Sequence, residues 1–316
     1  MRIIFMGTPT FSVPILKALH ENYKVVAVVT QPDKEVGRKR KIQASPVKVF
    51  ALNHDIPVVQ PIKIRSESDQ ILAYNPDLIV TAAYGQILPK VLLETPKYKA
   101  INVHASLLPS YRGGAPIQRA LMALEKETGI TIMQMVKAMD AGPIFIQESL
   151  PILPEDTTGT LFEKLSYLGQ KLLIDSLPKI INQELKPIPQ DDSLVTYAPN
   201  LTPEDELLDF DQEGAFIDAK IRALQPMPYA YTKIEHLKLK IIKALFEPCD
   251  KTEDYYGKKL PGTVLNVEKD FFTIQLLDGV LAVHEVQLEG KKPMSVRDFM
   301  NGTGRNLIKK DIVLNQ

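Results

Sequence analysis

The chain has 316 residues, of which 45% are hydrophobic and 24% charged, and this composition indicates a soluble globular protein with a sizeable core. Its length predicts two domains. Lysine plus arginine equal aspartate plus glutamate at 38 each, which excludes a general attraction to polyanions, so any nucleic-acid contact must come from a local patch.

Cysteine usage and hydropathy indicate where the protein works. Cys249 is the one cysteine, so the chain forms no internal disulfide or cysteine-based metal cluster, as is typical of a reducing compartment. The apolar run at residues 2–6 is too short for a signal peptide, and no stretch reaches the length of a membrane span. We therefore expect a cytoplasmic protein that does not contact a membrane.

The first part of the chain alternates between apolar runs and helical patterns. The runs at 2–6, 25–30, 77–83 and 100–105 are apolar on both alternating faces, which predicts parallel strands covered on both sides. Helical patterns lie between these runs, so the order of elements predicts an α/β domain with a Rossmann-like, mostly parallel sheet. Leucines at helical spacing over 157–181 predict a long helix after the sheet.

The pattern changes in the last third of the chain. Residues 186–205 contain four prolines and many small polar residues, which predicts an extended linker between a catalytic domain at 1–185 and a second domain at 206–316. The second domain has short alternating strands and an Asp278-Gly279 pair that favours a tight hairpin. We expect it to be a small OB-like β-barrel.

Three polar residues stand where predicted strands end, which is where open α/β sheets bind ligands. Asn102 and His104 are two positions apart, so both side chains point to one face of their strand, and Asp140 follows the next strand. An amide, an imidazole and a carboxylate can serve acyl transfer: Asn donates to an oxyanion, His stabilises or relays charge, and Asp orients the His. The same residues also fit simpler roles, with His104 as a packed residue and Asp140 as a turn former, and their spacing defines no reaction.

The stretches around these residues resemble a known family. "INVHASLLPSYRGGAPIQ", "TGITIMQMVKAMDAG", "MGTPTF" and "TQPDKEVGRKRK" are similar to the formyl-folate-dependent formyltransferases, and the resemblance covers nearly the whole chain. It implies that Asn102, His104 and Asp140 are catalytic. It also implies that 10-formyltetrahydrofolate is the formyl donor, in a pocket walled by four consecutive residues, Ser106, Leu107, Leu108 and Pro109. The acceptor that it implies is the α-amine of methionine on initiator methionyl-tRNA.

The sequence contains no cluster of His, Cys and Glu at metal-ligand spacing, and no G-x-G-x-x-G follows the first strand. We therefore expect neither a metal nor a dinucleotide, and acyl transfer to an amine requires neither. We also expect a monomer.

A basic run of Arg38, Lys39, Arg40 and Lys41 follows the second strand. Such a run is usually a solvated loop, but a long loop at the carboxyl end of a strand overhangs the cleft and can neutralise phosphates. The resemblance implies that this loop contacts tRNA, with Arg38 at the position of a family arginine, and that the domain at 206–316 provides a second contact.

Two other functions remain open from the sequence. One is a related formyltransferase that acts on a small amine, such as glycinamide ribonucleotide or an amino sugar. The other is a non-catalytic module that binds folate or RNA. The chain also departs from the family pattern, because it has no tryptophan and Met227 stands near "PMPYAYT", where an aromatic residue is common. We interpret Met227 as a core substitution by a flexible apolar side chain.

Overall fold

A computed structural model describes residues 1–36, 40–249 and 259–315, and these residues pack into two compact units. The first unit comprises Met1–Ile117, Glu127–Ile152 and Thr160–Asn200, and the second comprises Gln118–Lys126, Leu153–Gly159 and Leu201–Gln316. The proline-rich segment is therefore part of the first unit as far as Asn200. Among the described residues, no helix combines the length and the apolar character that a bilayer crossing requires.

The elements up to Ile181 alternate between strands and helices as predicted, with the addition of β3 and β4. They are β1 (Arg2–Gly7), α1 (Ser12–Asn22), β2 (Lys24–Val29), β3 (Lys34–Val36), β4 (Lys41–Gln43), α2 (Pro46–Asn53), β5 (Val58–Val59), α3 (Ser68–Leu72), β6 (Leu78–Ala82), α4 (Lys90–Glu94), β7 (Ala100–His104), α5 (Pro116–Met122), β8 (Glu127–Gln134), β9 (Ile144–Pro151) and α6 (Thr158–Ile181).

Seven of these strands form one sheet in the order β5-β2-β1-β6-β7-β8-β9. The first five strands pair in parallel, and β8 and β9 add an antiparallel edge. The central strand β1 buries Ile3, Ile4, Phe5 and Met6 completely, as expected for a strand covered on both faces. The predicted mostly parallel α/β sheet is confirmed, and so is the long helix α6.

The hairpin of β3 and β4 was missed by the sequence analysis, which treated the segment of the basic run after the second strand as a loop. Lys34 pairs with Gln43 and Val36 with Lys41, in an antiparallel ladder separate from the main sheet. The sequence carries a weak signal for it, because "KEV" and "KIQ" are short strand-compatible runs separated by a short stretch that includes Gly37.

The second unit contains the remaining elements. They are α7 (Gly214–Ala223), β10 (Tyr231–Ile234), β11 (Leu237–Pro248), β12 (Val264–Val267), β13 (Phe272–Gln275), β14 (Gly279–Leu288), β15 (Met294–Ser295), α8 (Val296–Met300) and α9 (Gly304–Leu307). This unit also has a 3-10 turn at Pro203–Glu206, and the first unit has one at Asp192–Leu194. The strands form an antiparallel sheet in the order β10-β11-β14-β13-β12, and β15 pairs with β14. This confirms the predicted small β-domain, including the hairpin at Asp278.

The interpretation of Met227 as a core residue was wrong. Its side chain is 77% exposed, while the core of the second unit is built from residues such as Phe272, Phe299 and Ile241. The reason is local: Met227 lies between Pro226 and Pro228 after the end of α7, in a turn that presents its side chain to solvent.

Candidate active site

Asn102 and His104 lie on β7, and Asn102 is aligned with Thr81 on the neighbouring strand β6. The hydroxyl of Thr81 donates a hydrogen bond of 2.7 Å to the side-chain oxygen of Asn102. An amide oxygen accepts and its nitrogen donates, so this bond fixes the orientation of the Asn102 amide. Its NH₂ group is therefore directed away from Thr81, where it can donate to a developing negative charge.

His104 is almost fully buried, and both of its ring nitrogens face oxygen atoms. Nε2 lies 3.1 Å from the backbone oxygen of Tyr111, and because a carbonyl only accepts, Nε2 carries a proton. Nδ1 lies 3.7 Å from Oδ1 of Asp140, which is the range of an ion pair when the ring is protonated and is longer than a hydrogen bond. The structure thus brings together His104 and Asp140, which are 36 positions apart.

Asp140 is held in an unusual backbone conformation. Its φ is 48°, in the left-handed region, which aspartate tolerates better than most residues but at an energetic cost. The Oδ2 atom accepts a hydrogen bond of 2.9 Å from the backbone N–H of Gly113, so the carboxylate lies between this amide and His104. The arrangement orients one carboxylate oxygen toward the imidazole.

Gly113 makes this contact possible because no other residue fits its position. Its φ is 135°, and a Cβ atom there would lie 2.4 Å from the backbone oxygen of Ala198. The glycine pair after Arg112 therefore allows the loop to pass close to the 188–198 segment while its amide points at Asp140.

The four residues predicted to wall a folate pocket form a tightly bonded loop after β7. The Ser106 hydroxyl donates to the Ser110 carbonyl oxygen at 2.7 Å, and the Leu108 N–H donates to the Thr131 hydroxyl at 3.1 Å. Ser106 and Leu108 are buried, whereas Leu107 and Pro109 are partly exposed. The loop positions the Tyr111 carbonyl that His104 contacts.

A pocket of about 430 Å³, in the size range of small-molecule sites, is lined by α4, Lys99, the end of β8 and the segment that follows it. None of Asn102, His104 and Asp140 lines it, and its link to them is Met135, whose sulfur lies 3.2 Å from the Thr81 hydroxyl that orients Asn102. The lining is mixed: three residues are apolar, Leu93, Met135 and Val136, and five are polar or charged, Lys90, Glu94, Lys99, Gln134 and Lys137. Residues 106–109, the predicted pocket wall, do not line this pocket. The sequence analysis did not predict the residues that do.

The basic run is described in part. Arg38 and Lys39 lie outside the described residues. Arg40 follows them with an exposed side chain whose Nε is 3.7 Å from Oε2 of Glu35, and Lys41 begins β4 with an exposed side chain. A contact between two such exposed groups is weak, so Arg40 can exchange it for another anion.

Polar side chains anchor the base of this hairpin, and none of them was predicted. Gln60 donates to the Gln31 carbonyl at 3.0 Å and to Oδ1 of Asp33 at 2.8 Å, while Lys48 donates to Oδ2 of Asp33 at 2.7 Å. The hydrogen bond from Lys48 is the main cause of a pKa of Asp33 below its ordinary value. Gln31 also donates to the backbone oxygen of Tyr84. The base is thereby tied to the main sheet.

Within 1–36, 40–249 and 259–315, no group of three His, Cys, Asp or Glu side chains is placed to bind a metal ion.

Comparison with known proteins gives a consistent result. The family model described as "Formyl transferase" matches residues 1–177, and "Formyl transferase, C-terminal domain" matches residues 200–304. A protein of Halalkalibacterium halodurans named methionyl-tRNA formyltransferase is 50% identical over 311 residues, which are 97% of this chain and 96% of that protein.

Two solved structures share the fold at low sequence identity. WlaRD, a sugar 3N-formyl transferase solved with dTDP and 5-N-formyl-THF, has a TM-score of 0.64 and 22% identity over 92% of this chain and 99% of its own. HypX from Aquifex aeolicus in complex with tetrahydrofolic acid has a TM-score of 0.66 and 18% identity over 100% of this chain and 51% of its own.

Proposed function

The chain belongs to the formyl transferase family, and we propose that it transfers the formyl group of 10-formyltetrahydrofolate to the α-amino group of methionine on initiator methionyl-tRNA. The products are N-formylmethionyl-tRNA, with which translation begins, and tetrahydrofolate. One observation carries the proposal: Asn102 and His104 share one face of β7, and Asp140 lies 3.7 Å from the His104 ring. The 50% identical relative supports the choice of acceptor.

The reaction requires a place for negative charge and a path for one proton. The amine nitrogen attacks the formyl carbon, the carbonyl electron pair moves to oxygen, and the bond to N10 of the folate then breaks. Asn102 and His104 are the donors to this oxyanion in our proposal. The His104 Nε2–H group donates to the Tyr111 carbonyl in the structure, and an oxyanion, as a stronger acceptor, would compete for this proton.

The amine loses a proton during the reaction and N10 of the folate gains one. Asp140 faces His104 through Oδ1 and is held by the Gly113 amide through Oδ2. We assign Asp140 two tasks: it orients the His104 ring, and it relays the proton from the amine through water toward the leaving nitrogen.

The family uses folate-derived formyl donors, and we propose that the pocket lined by Met135 holds part of such a molecule. Leu93, Met135 and Val136 offer an apolar surface to a flat ring system, and Lys90, Lys99 and Lys137 offer cations to the glutamate carboxylates of a folate. The loop of Ser106, Leu107, Leu108 and Pro109 would form the side of the cleft nearest His104.

The tRNA would be held by two parts of the chain. The first is the basic run of Arg38, Lys39, Arg40 and Lys41, whose cations can neutralise acceptor-stem phosphates. The second is the β-domain at 206–316, with residues 186–205 leading to it from the catalytic domain at 1–185. Exposed Lys291 and Lys292 are candidate phosphate contacts there.

Formylation assays with purified protein and 10-formyltetrahydrofolate test the proposal. We expect transfer to initiator methionyl-tRNA and much slower transfer to the elongator. Equal rates on both tRNAs would contradict the specificity. Transfer to an amino sugar or glycinamide ribonucleotide in preference to tRNA would favour the small-amine alternative, and absence of any transfer would favour a binding module.

A further inference from the structure

One segment of the first unit, residues 188–198, contacts both loops of the catalytic centre. Building on the function proposed above, we infer that Gln190 is a positioning residue that holds Asp140 against His104, and that Arg112 holds Gln190. The segment comes from the proline-rich stretch of the sequence, where composition alone suggests a connection without a role. Neither residue is expected to touch the substrate.

Gln190 is bonded on both sides of its amide. Its Nε2 donates to the backbone oxygens of Asp140 and Gly142, each at 2.7 Å. Its Oε1 accepts from Nε of Arg112 at 3.1 Å and from Nη2 at 2.8 Å. Carbonyls only accept and guanidinium groups only donate, so the chemistry of the partners fixes which end of the amide faces which neighbour.

The two carbonyls that converge on Gln190 flank the turn that carries Asp140. Because Asp140 has a φ of 48°, its backbone requires support from its surroundings. The two hydrogen bonds from one nitrogen hold residues 140 and 142 in a tight curve. The carboxylate then reaches both the Gly113 amide and the His104 ring.

Arg112 joins this support to the other loop of the site. Its side chain is 6% exposed and also contacts Oδ1 of Asp192 at 3.1 Å. Its backbone exchanges hydrogen bonds with the 188–198 segment, donating to the Thr196 oxygen at 2.9 Å and accepting from the Ala198 N–H at 2.7 Å.

The residue before Arg112 is Tyr111, whose carbonyl oxygen faces Nε2 of His104. Its N–H is also bonded to the 188–198 segment, since it donates to the Thr196 hydroxyl at 2.9 Å. One segment therefore holds the oxygen partners of both nitrogens of the catalytic imidazole. A shift of this segment would move Asp140 and the Tyr111 carbonyl together, and a misplacement of about 1 Å at such a centre costs about 100-fold in rate.

The substitution Gln190→Glu tests the donating nitrogen of the Gln190 amide separately from its accepting oxygen. The glutamate keeps an acceptor for Arg112, but it replaces the donating nitrogen with an oxygen that repels the carbonyls of Asp140 and Gly142. Gln190→Ala removes both the donating nitrogen and the accepting oxygen. Gln183→Glu is the matched control, because it makes the same chemical change at an exposed glutamine just after α6.

We expect Gln190→Glu and Gln190→Ala to lower kcat for formylation of methionyl-tRNA by about 10- to 100-fold, with KM for both substrates within about twofold of wild type. Gln183→Glu should match wild type. A purely structural role predicts that thermal stability falls in Gln190→Ala and Gln190→Glu while kcat of the folded protein stays at the wild-type value.

A second readout does not depend on turnover. The ¹H–¹⁵N resonances of the His104 ring report the partners of its nitrogens, and we expect them to shift in Gln190→Glu and not in Gln183→Glu. An unchanged kcat or unchanged ring resonances in Gln190→Glu would overturn the inference. If wild-type protein does not formylate methionyl-tRNA, the proposed function fails, and the spectrum alone then decides the role of Gln190.

Discussion

Thr81 and Asn102 lie side by side on parallel strands, and the threonine hydroxyl donates to the asparagine side-chain oxygen at 2.7 Å. The bond determines which end of the Asn102 amide is available to a substrate. The threonine sits in an apolar run, "LIVTA", and its hydroxyl also lies 3.3 Å from the Ile101 carbonyl oxygen and 3.2 Å from the Met135 sulfur. Its role follows from the partner that the sheet register brings beside it.

Replacing Thr81 tests this relationship. We expect Thr81→Val to lower kcat about fivefold, because losing one hydrogen bond of about 1 kcal/mol frees the amide to rotate. Thr81→Ser keeps the hydroxyl and should retain most of the activity. Formylation rates at saturating folate and tRNA are the measurement, and equal rates for the valine and serine variants would contradict the role of the hydroxyl.

His104→Ala should impair chemistry and not binding. Removing a residue that stabilises the oxyanion and relays charge is expected to reduce the single-turnover rate by about 10²- to 10⁴-fold. Calorimetric titration with the folate should give an affinity close to that of wild type. A variant that lost affinity for tRNA but kept its single-turnover rate would show that His104 serves another purpose.

Arg38→Ala and Arg40→Ala should weaken tRNA use by removing a phosphate contact. Each contact that is lost should reduce the slope of log affinity against log salt by about 1 and leave folate binding unchanged. Lys17→Ala, at an exposed lysine on α1, is the control. A slope that stays at the wild-type value in both arginine variants would mean that the basic run does not contact RNA.

Gly113→Ala should destabilise the first unit and lower activity. The left-handed φ and the approach of the Ala198 oxygen to 2.4 Å from a Cβ atom should cost about 1–3 kcal/mol. Thermal unfolding followed by circular dichroism measures the loss. Gly302→Ala is the matched control, since the nearest atoms to its Cβ would be 3.8 Å away, and a similar loss in both variants would refute the explanation.

The pair of Arg119 and Asp205 in the second unit predicts a pH-dependent contribution to stability. Arg119 donates to both carboxylate oxygens at 2.8 Å, and these hydrogen bonds lower the pKa of Asp205 from its ordinary value. A depressed pKa means that the contribution is complete above the ordinary aspartate pKa of about 3.9 and is lost as pH falls through the lower folded value.

Asp205→Asn should therefore reduce the urea midpoint at pH 7, by the equivalent of about 1 kcal/mol, and the difference from wild type should shrink under acid conditions. Asp211→Asn, at an exposed aspartate nearby in sequence, should show a smaller difference at either pH. A difference in urea midpoint between Asp205→Asn and wild type that grows toward low pH would contradict a depressed pKa of Asp205.

The sequence predicts the sheet because the strands are buried on both faces. Runs such as Ile3 to Met6 are apolar at every position, and the helices between them have amphipathic spacing, so local composition is enough to find the elements and their order. The placement of Asn102 and His104 on one face of β7 follows from strand geometry in the same way. The roles of these residues come from the family resemblance and not from their spacing.

The remaining site residues depend on contacts between distant parts of the chain. Arg112 and Gln190 are 78 positions apart, and a glutamine in a proline-rich stretch has no local feature that distinguishes it from a solvent-exposed one. Thr81 contacts Asn102 because β6 pairs with β7. Gln31 and Gln60 contact each other because the loops after β2 and β5 lie side by side. These contacts depend on the strand register of the folded sheet, which the local sequence does not reveal.

The hydrogen bonds at the base of the β3–β4 hairpin give its polar side chains a structural role. Asp33 accepts from Lys48 and Gln60, and Gln31 donates to the Tyr84 carbonyl oxygen. A substitution at Asp33 or Gln60 therefore removes part of the support that connects β3 to the main sheet. Loss of function in such a variant would report a displaced hairpin and not a missing contact with a substrate.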